Sequence, residues 1–268
     1  MSNWASGTAG PLTSLVLPTY NPGATLERTW LTLKHFLDEG CENWEILFVC
    51  DGCSDGSPAR LAEWTSAYTG QVQVLSYAAN RGKGHAVRLG LEAARGRWRL
   101  FTDVDLAYGL EDIQRVAQTL RDGAGVVIAS RRHPASQMLI PAKLCGYVYR
   151  RHVQSLVFSS LVRLLLPIQQ LDTQAGLKGL TAEAASTLLP HLRCDGFGFD
   201  CELLTAAARF AIPVVEVPVC VRLDSPASTT SAATLGRMVA ELWRIRRAWR
   251  HVKVQQATQP VSSDRRAA

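Results

Sequence analysis

Two aspartates one residue apart close the apolar run Leu100–Leu106, which reads L-F-T-D-V-D-L. Side chains two positions apart on a strand point the same way, so a tight turn there can present the carboxylates of Asp103 and Asp105 to one cation. Hard divalent cations such as Mg²⁺ or Mn²⁺ take oxygen ligands, and Mg²⁺ is usually held by one or two carboxylates plus substrate phosphates. A solvated turn has the same letters, so the rest of the chain must decide. Between Asp51 and Ser57 stands D-G-C-S-D-G-S, a strand-to-helix turn by its chemistry, with Ser57 placed to cap the helix. Asn80 to Gly84 reads N-R-G-K-G, two cations and two glycines at a helix start, where free N–H groups can receive phosphate oxygens. It is not a P-loop, because the spacing and the final Ser or Thr are missing. Asp200 and Glu202 head a later helix, where carboxylates meet the positive end of the dipole.

These residues need elements to hold them. Ser14–Pro18, Glu45–Cys50, Val72–Ser76, Trp98–Thr102 and Val126–Ala129 read as strands. Amphipathic helices over Ala24–Asp38, Pro58–Tyr68, Lys83–Arg95 and Leu110–Arg121 separate them. Such alternation predicts an α/β fold, a mostly parallel sheet with helices on both faces. Ligands of such sheets bind beyond the carboxyl ends of the strands, and Pro18-Thr-Tyr-Asn21, Asp51-Gly52 and Asp103-x-Asp105 all fall there. The second half is less regular: an apolar helix over Tyr147–Leu166, a short strand near Gly176–Leu180, a helix over Phe199–Phe210, a strand over Val214–Val221, and a basic helix from Thr234 to about His251. Residues 1–12 and 254–268 read as flexible ends flanking a domain at 13–230 and the basic helix at 231–253.

The chain has 268 residues, 47% of them hydrophobic, enough for a full core in one larger domain. Its seven cysteines are an odd number without a paired framework, which points to reduced thiols in a cytosolic setting. Cys50 and Cys53 form a C-x-x-C, but no second pair stands at zinc spacing. No signal peptide is recognisable, and no run approaches the roughly 20 apolar residues of a spanning helix. Charge is unevenly placed. Arg131 to Arg163 carries six basic residues and no acid, and Arg237 to Lys253 carries five arginines and a lysine against Glu241. Together these exceed the net charge of +6, so the remainder is acidic, and the basic stretches face an anionic partner of their own. Trp243 and Trp249 among Arg244, Arg246, Arg247 and Arg250 suit an anionic membrane surface. No nucleic-acid motif accompanies the charge. Leu156–Ile168, interrupted by Arg163, reads as a buried core helix or as an interfacial one.

Seven segments in order, P-T-Y-N at 18–21, C-D-G-C-S-D-G-S at 50–57, N-R-G-K-G at 80–84, T-D-V-D-L at 102–106, S-R at 130–131, D-T-Q-A-G-L-K at 172–178 and G-F-D-C-E-L-L at 198–204, resemble inverting family 2 glycosyltransferases of GT-A fold. The likeness is to the dolichyl or polyprenyl-phosphate glucosyltransferases and mannosyltransferases, over roughly residues 12–250. It implies that Pro18, Tyr20, Asn21 and Asp51 hold the nucleotide, that Arg81 and Lys83 lie near the donor diphosphate, and that Asp103, Asp105 and Gln174 form the site for Mg²⁺ or Mn²⁺. It places Asp200 and Glu202 beside the sugar, and Ser130, Arg131, Arg151 and Ser155 at the acceptor phosphate, with Arg151 preferred to Arg150. Asp172 braces the loop that delivers Gln174. Two departures stand out: the acid that commonly follows P-x-Y-N is Pro22, and the first of the paired acids in the second motif is Cys50.

The chemistry is consistent with that likeness. A leaving diphosphate needs a metal and nearby cations. An attacking hydroxyl needs a general base, whereas a phosphate acceptor, with its second ionisation near about pH 6, arrives already charged and needs cations instead. The expectation is hexose transfer, glucose before mannose, from a UDP-sugar (GDP-mannose second) to a polyprenyl phosphate on the cytoplasmic inner face of a membrane. Two alternatives stay open: a soluble glycan, protein or other lipid acceptor, and a non-catalytic nucleotide-sugar-binding or membrane scaffold protein.

Overall fold

The computed structural model describes residues 12–40, 43–139, 146, 156, 158–222 and 232–250. Strands β1 (Thr13–Thr19), β2 (Trp44–Asp51), β3 (Val72–Tyr77), β4 (Trp98–Phe101) and β5 (Val126–Ser130) alternate with helices α1 (Thr25–Asp38), α2 (Ser57–Trp64), α3 (Lys83–Ala93) and α4 (Gly109–Arg121). Then follow β6 (Gln137–Leu139), a helix α5 over 158–165, β7 (Lys178–Thr181), α6 (Ala182–Leu188), α7 (Phe199–Arg209), β8 (Val214–Pro218), β9 (Cys220–Arg222) and α8 (Ala232–Trp249). The main sheet has the order β3-β2-β1-β4-β7-β5-β8. Six of its strands are parallel, and β7 runs antiparallel between β4 and β5.

The period of two along the central strands explains the layers. Leu15, Leu17, Ile46, Phe48, Val127 and Ala129 face one core with Leu33 of α1, Leu61 of α2 and Val116 of α4. The intervening Val16, Leu47, Val49, Val126 and Ile128 face the other, with Val87 of α3, Val162 of α5, Leu188 of α6, Leu204 of α7 and Leu242 of α8. A strand buried on both faces has to be apolar at nearly every position, as these are.

The first half follows the expected alternation to within a few residues at most boundaries. The second half departs from it for local reasons. The strand expected over Val214–Val221 breaks after Pro218, which has no N–H for a ladder. Val219 N–H donates to Ser136 Oγ at 3.0 Å instead, and Cys220–Arg222 leaves to pair with β6. Helix α6 was not foreseen; Thr181 caps it by accepting from Ala184 N–H at 3.1 Å. Most of the helix expected over Tyr147–Leu166 lies outside the described residues, Arg150, Arg151 and Ser155 included. Where α5 is described it is two-sided, with Phe158 and Val162 buried and Leu164 77% exposed. The final helix also has an inner side: Leu242, Ile245 and Trp249 are buried, so Trp249 points away from the outer face that was expected to carry it with Trp243. Among the described residues no helix is long and apolar enough to cross a membrane.

Candidate functional site

Parallel strands β1, β2, β4 and β5 finish on one edge of the sheet, and β7 starts there. That edge collects most of the sequence-derived site residues; Glu202 is an exception, and Arg151 and Ser155 lie outside the described residues.

At the end of β1, Tyr20 is 56% exposed and Asn21 takes a positive φ of 43°. Asn21 Oδ1 accepts from Ser54 N–H at 2.8 Å, which ties this turn to the one after β2. In that second turn the helix cap differs from expectation. Ser57 is the first helical residue rather than the cap, and Asp55 Oδ1 accepts from both its N–H (3.1 Å) and its hydroxyl (2.6 Å). Asp51 is buried, and its carboxylate accepts from Arg81 N–H at 2.6 Å, Gly82 N–H at 2.9 Å and Asn80 Nδ2 at 3.1 Å. Those two amides of the N-R-G-K-G turn are therefore engaged by Asp51, and of the amides at the head of α3, those of Lys83 and Gly84 lie outside these bonds. Gly82 has φ 107° and passes so close to Asp195 that a Cβ would overlap its carbonyl oxygen. Only glycine combines that φ with that contact.

Lys83, the first residue of α3, meets Asp103 Oδ1 at 2.5 Å. Burial works against its charge, but Asp103 and Asp200 outweigh it and hold the ammonium above the usual lysine range. Asp105 Oδ1 accepts from Ala107 N–H at 3.1 Å. Its carboxyl is held above the usual range by desolvation and then by the charge of Asp103. A carboxylate whose ionisation is opposed by its neighbour's charge makes a place for a cation. Gly176 lies against the pair: a Cβ there would overlap Asp103 Oδ2. Buried Tyr108 accepts from Gly176 N–H at 3.0 Å and so fixes that approach. No third Asp, Glu, His or Cys completes a metal-binding cluster among the described residues. The donor set thus fits a hard cation that shares its shell with phosphate oxygens and does not fit an all-protein cage. Gln174 directs its amide nitrogen to Cys201 Sγ at 3.3 Å.

Across the edge, Ser130 ends β5 and Arg131 follows it. Arg131 grips Asp172 with its N–H (2.9 Å), Nε (2.7 Å) and Nη2 (2.8 Å). Burial opposes ionisation of Asp172, and the bidentate Arg131 overcomes it, holding the carboxyl below the usual range. Arg131 therefore braces the 172–176 loop with part of its fork. The Ser130 hydroxyl is fully buried with no hydrogen-bond partner among the described residues.

Three residues that sequence reasoning gave no role are central here. Lys178 is fully buried, with Nζ 2.7 Å from Asp200 Oδ1 and 2.6 Å from the Ala175 carbonyl. A lysine inside the apolar G-L-K-G-L run was the available signal. Tyr108 carried no pattern, and Glu241 stood out only as the single acid of its basic stretch. Glu202, by contrast, faces away from the carboxylate pair. Its Oε2 accepts from Arg193 N–H (2.8 Å) and Cys194 N–H (2.7 Å), and its Oε1 from Trp249 Nε1 (3.3 Å).

A family model described as Glycosyl transferase family 2 matches residues 14–140. The chain is 28% identical over 216 residues to a dolichyl-phosphate beta-glucosyltransferase of Dictyostelium discoideum, covering 77% of this chain and 65% of the relative. It is 29% identical over 219 residues to glycosyltransferase AglD of Haloferax volcanii, covering 80% of this chain and 34% of the relative. It thus spans just under two thirds of the first relative and about a third of the second. The glucosyl-3-phosphoglycerate synthase of Mycobacterium tuberculosis, solved with Mn²⁺, UDP and phosphoglyceric acid, matches with a TM-score of 0.64 at 19% identity, over 92% of this chain and 81% of that one. At that identity the likeness speaks to the fold, which is the expected GT-A architecture.

Proposed function

We propose that the chain is a glycosyl transferase of family 2, whose model matches residues 14–140, and that it transfers a hexose, glucose first, from a UDP-sugar to a polyprenyl phosphate with inversion. The observation that carries the reading is the Asp103, Asp105 and Lys83 cluster at the strand ends, facing the head of α3. A divalent cation, Mg²⁺ or Mn²⁺, held by Asp103 and Asp105, its shell completed by Gln174, would supply positive charge to the leaving diphosphate. Lys83 sits where it can follow that charge, moving from Asp103 to a phosphate oxygen as the donor arrives. Exposed Tyr20 offers a ring face to the base, and Pro18 and Asn21 shape the turn beneath it. On the other side, Ser130 has an unused hydroxyl and Arg131 keeps Nη1 outside its grip on Asp172. Together with Arg151 and Ser155 they are the candidates for the acceptor phosphate. An acceptor that arrives ionised removes the need for a general base.

The test is direct. The chain is incubated with Mn²⁺, a short polyprenyl phosphate and, in turn, UDP-glucose, GDP-mannose and other nucleotide sugars, and the lipid product is identified by mass. A hexosyl-phosphoryl lipid from UDP-glucose is the expected product. Transfer only to soluble glycans would favour the soluble-acceptor alternative, and nucleotide-sugar binding without any transfer would favour the non-catalytic one.

The membrane side of the reading rests on α8. Trp243 is 58% exposed, with the Arg246 guanidinium 5.8 Å from its ring centre. Arg246 also donates to the Leu165 carbonyl at 3.4 Å, which brings α5 and its exposed Leu164 alongside. Cationic side chains near an anionic surface contribute about 1 kcal/mol each. Replacing Arg246, Arg247 and Arg250 together with glutamine should therefore weaken binding to vesicles rich in anionic lipid by about 100-fold, as read by co-sedimentation at low salt. Unchanged binding would remove this face from the membrane contact.

A further inference from the structure

Glu241 is the only acid between Arg237 and Lys253, and it lies on the inner side of its helix. Its Oε2 accepts from Gly198 N–H at 2.7 Å. The carboxylate lies directly on the loop backbone: a Cβ at Gly196 would overlap Glu241 Oε1, and one at Gly198 would come within 2.9 Å of Oε2. The opposite side of the same loop rests on the head of α3. There the Asp195 carbonyl accepts from His85 N–H at 3.2 Å, Asp195 Oδ1 meets Arg88 Nη2 at 2.5 Å, and Gly84 lies close to the carbonyls of Cys194 and Gly196. Residues 193–198 are thus clamped between α8 and the turn that carries Lys83, whose ammonium reaches Asp103. Phe197, at the tip, is 51% exposed. Immediately after the loop, α7 begins and brings Asp200 under the same edge.

We infer that Glu241 is a positioning residue for glycosyl transfer: by holding Gly198 it presses the 193–198 loop against the head of α3 and sets one wall of the transfer site. The inference rests on the functional reading above. The basic helix then has two separate duties, an outer arginine face toward an anionic surface and an inner carboxylate that shapes the site. The contact needs an oxygen acceptor at one particular reach, and a charge is secondary, because its partner is a neutral backbone N–H. A glutamine retains both acceptor and reach, an aspartate retains the charge but falls one methylene short, and an alanine retains neither.

The experiment uses the full chain with Mn²⁺, UDP-glucose and a short, water-soluble polyprenyl phosphate, so that vesicle binding plays no part. Glu241→Ala is expected to lower kcat/KM for the acceptor at least tenfold, while UDP affinity, measured by titration calorimetry, stays within about threefold of the original. Glu241→Gln is expected to retain most of the turnover, and Glu241→Asp to resemble the alanine variant. Unaltered turnover in Glu241→Ala overturns the inference and leaves the functional reading intact. Equal loss of UDP binding also overturns it, since the residue would then support the fold in general. A glutamine variant as poor as the alanine one overturns the acceptor argument even if the alanine variant fails to fold. Should the unaltered chain transfer no sugar from any donor, the functional reading falls and the inference with it.

Discussion

Alanine at Asp103 or at Asp105 is expected to reduce hexosyl transfer by about 100- to 1000-fold, the range found when a group stabilising transition-state charge is removed. The two losses should not multiply in the double variant, because both carboxylates serve one cation and act as a unit. Asparagine at either position separates charge from shape, and it should resemble alanine in transfer while raising the Mn²⁺ concentration needed for half-maximal activity. The stability consequence has the opposite sign. Asp105 is held above the usual carboxylate range by desolvation and by Asp103, so its ionised form is less favoured in the folded chain than in the unfolded one. Its contribution to stability is therefore lost as pH rises through that range. Asp105→Asn should raise the thermal midpoint at neutral pH in metal-free buffer, and the gain should vanish in acid, where both chains are uncharged at that position. A variant that lost activity and stability together would show that Asp105 serves the fold and not a cation. A variant with unchanged turnover would remove the pair from the mechanism.

How much of this was legible beforehand depends on the range of the interactions involved. Period-two apolar strands and amphipathic helices are local patterns, and they placed β1 to β5 and α1 to α4 nearly as found. Glycine- and aspartate-rich turns are local as well, which is why Asp51, Asp103 and Asp105 could be assigned to one edge before any contact was known. The later strands are held by distant partners. Nothing within Lys178–Thr181 says that it runs antiparallel between β4 and β5. Two residues changed meaning through long-range bonds. Asp51, which the resemblance sets at the nucleotide, also fixes the 80–82 turn through three hydrogen bonds to its carboxylate. Trp249 looked like half of an outer aromatic pair but lies buried against Glu202, 47 positions away in sequence. Helical spacing could have warned of this, because Leu242, Ile245 and Trp249 recur at intervals of three and four.

Lys178→Met should destabilise the fold by about 3–5 kcal/mol, the usual consequence of leaving one member of a buried ion pair alone. The pair is more enclosed than any other ion pair among the described residues: Lys178 is fully buried, Asp200 nearly so, and the ammonium lies 2.7 Å from the carboxylate and 5.8 Å from the Phe101 ring centre. Set against a total stability of about 5–15 kcal/mol, that loss reaches the limit of what the chain can bear, and little soluble protein is expected at 37 °C. The double variant Lys178→Met with Asp200→Asn removes both charges and nearly preserves volume. Denaturant midpoints should show most of the stability restored, since a buried pair contributes less than the penalty of breaking it. Its transfer activity then decides what Asp200 is for. Asp200 also acts on the charge of Lys83, the residue that meets Asp103, so it reaches the site as well as the core. If the double variant folds but transfers poorly, with UDP still bound, the Lys178 and Asp200 pair organises the site through Lys83. If it folds and transfers normally, the pair is a strut beneath the site, and Lys83 takes its position from Asp103 alone.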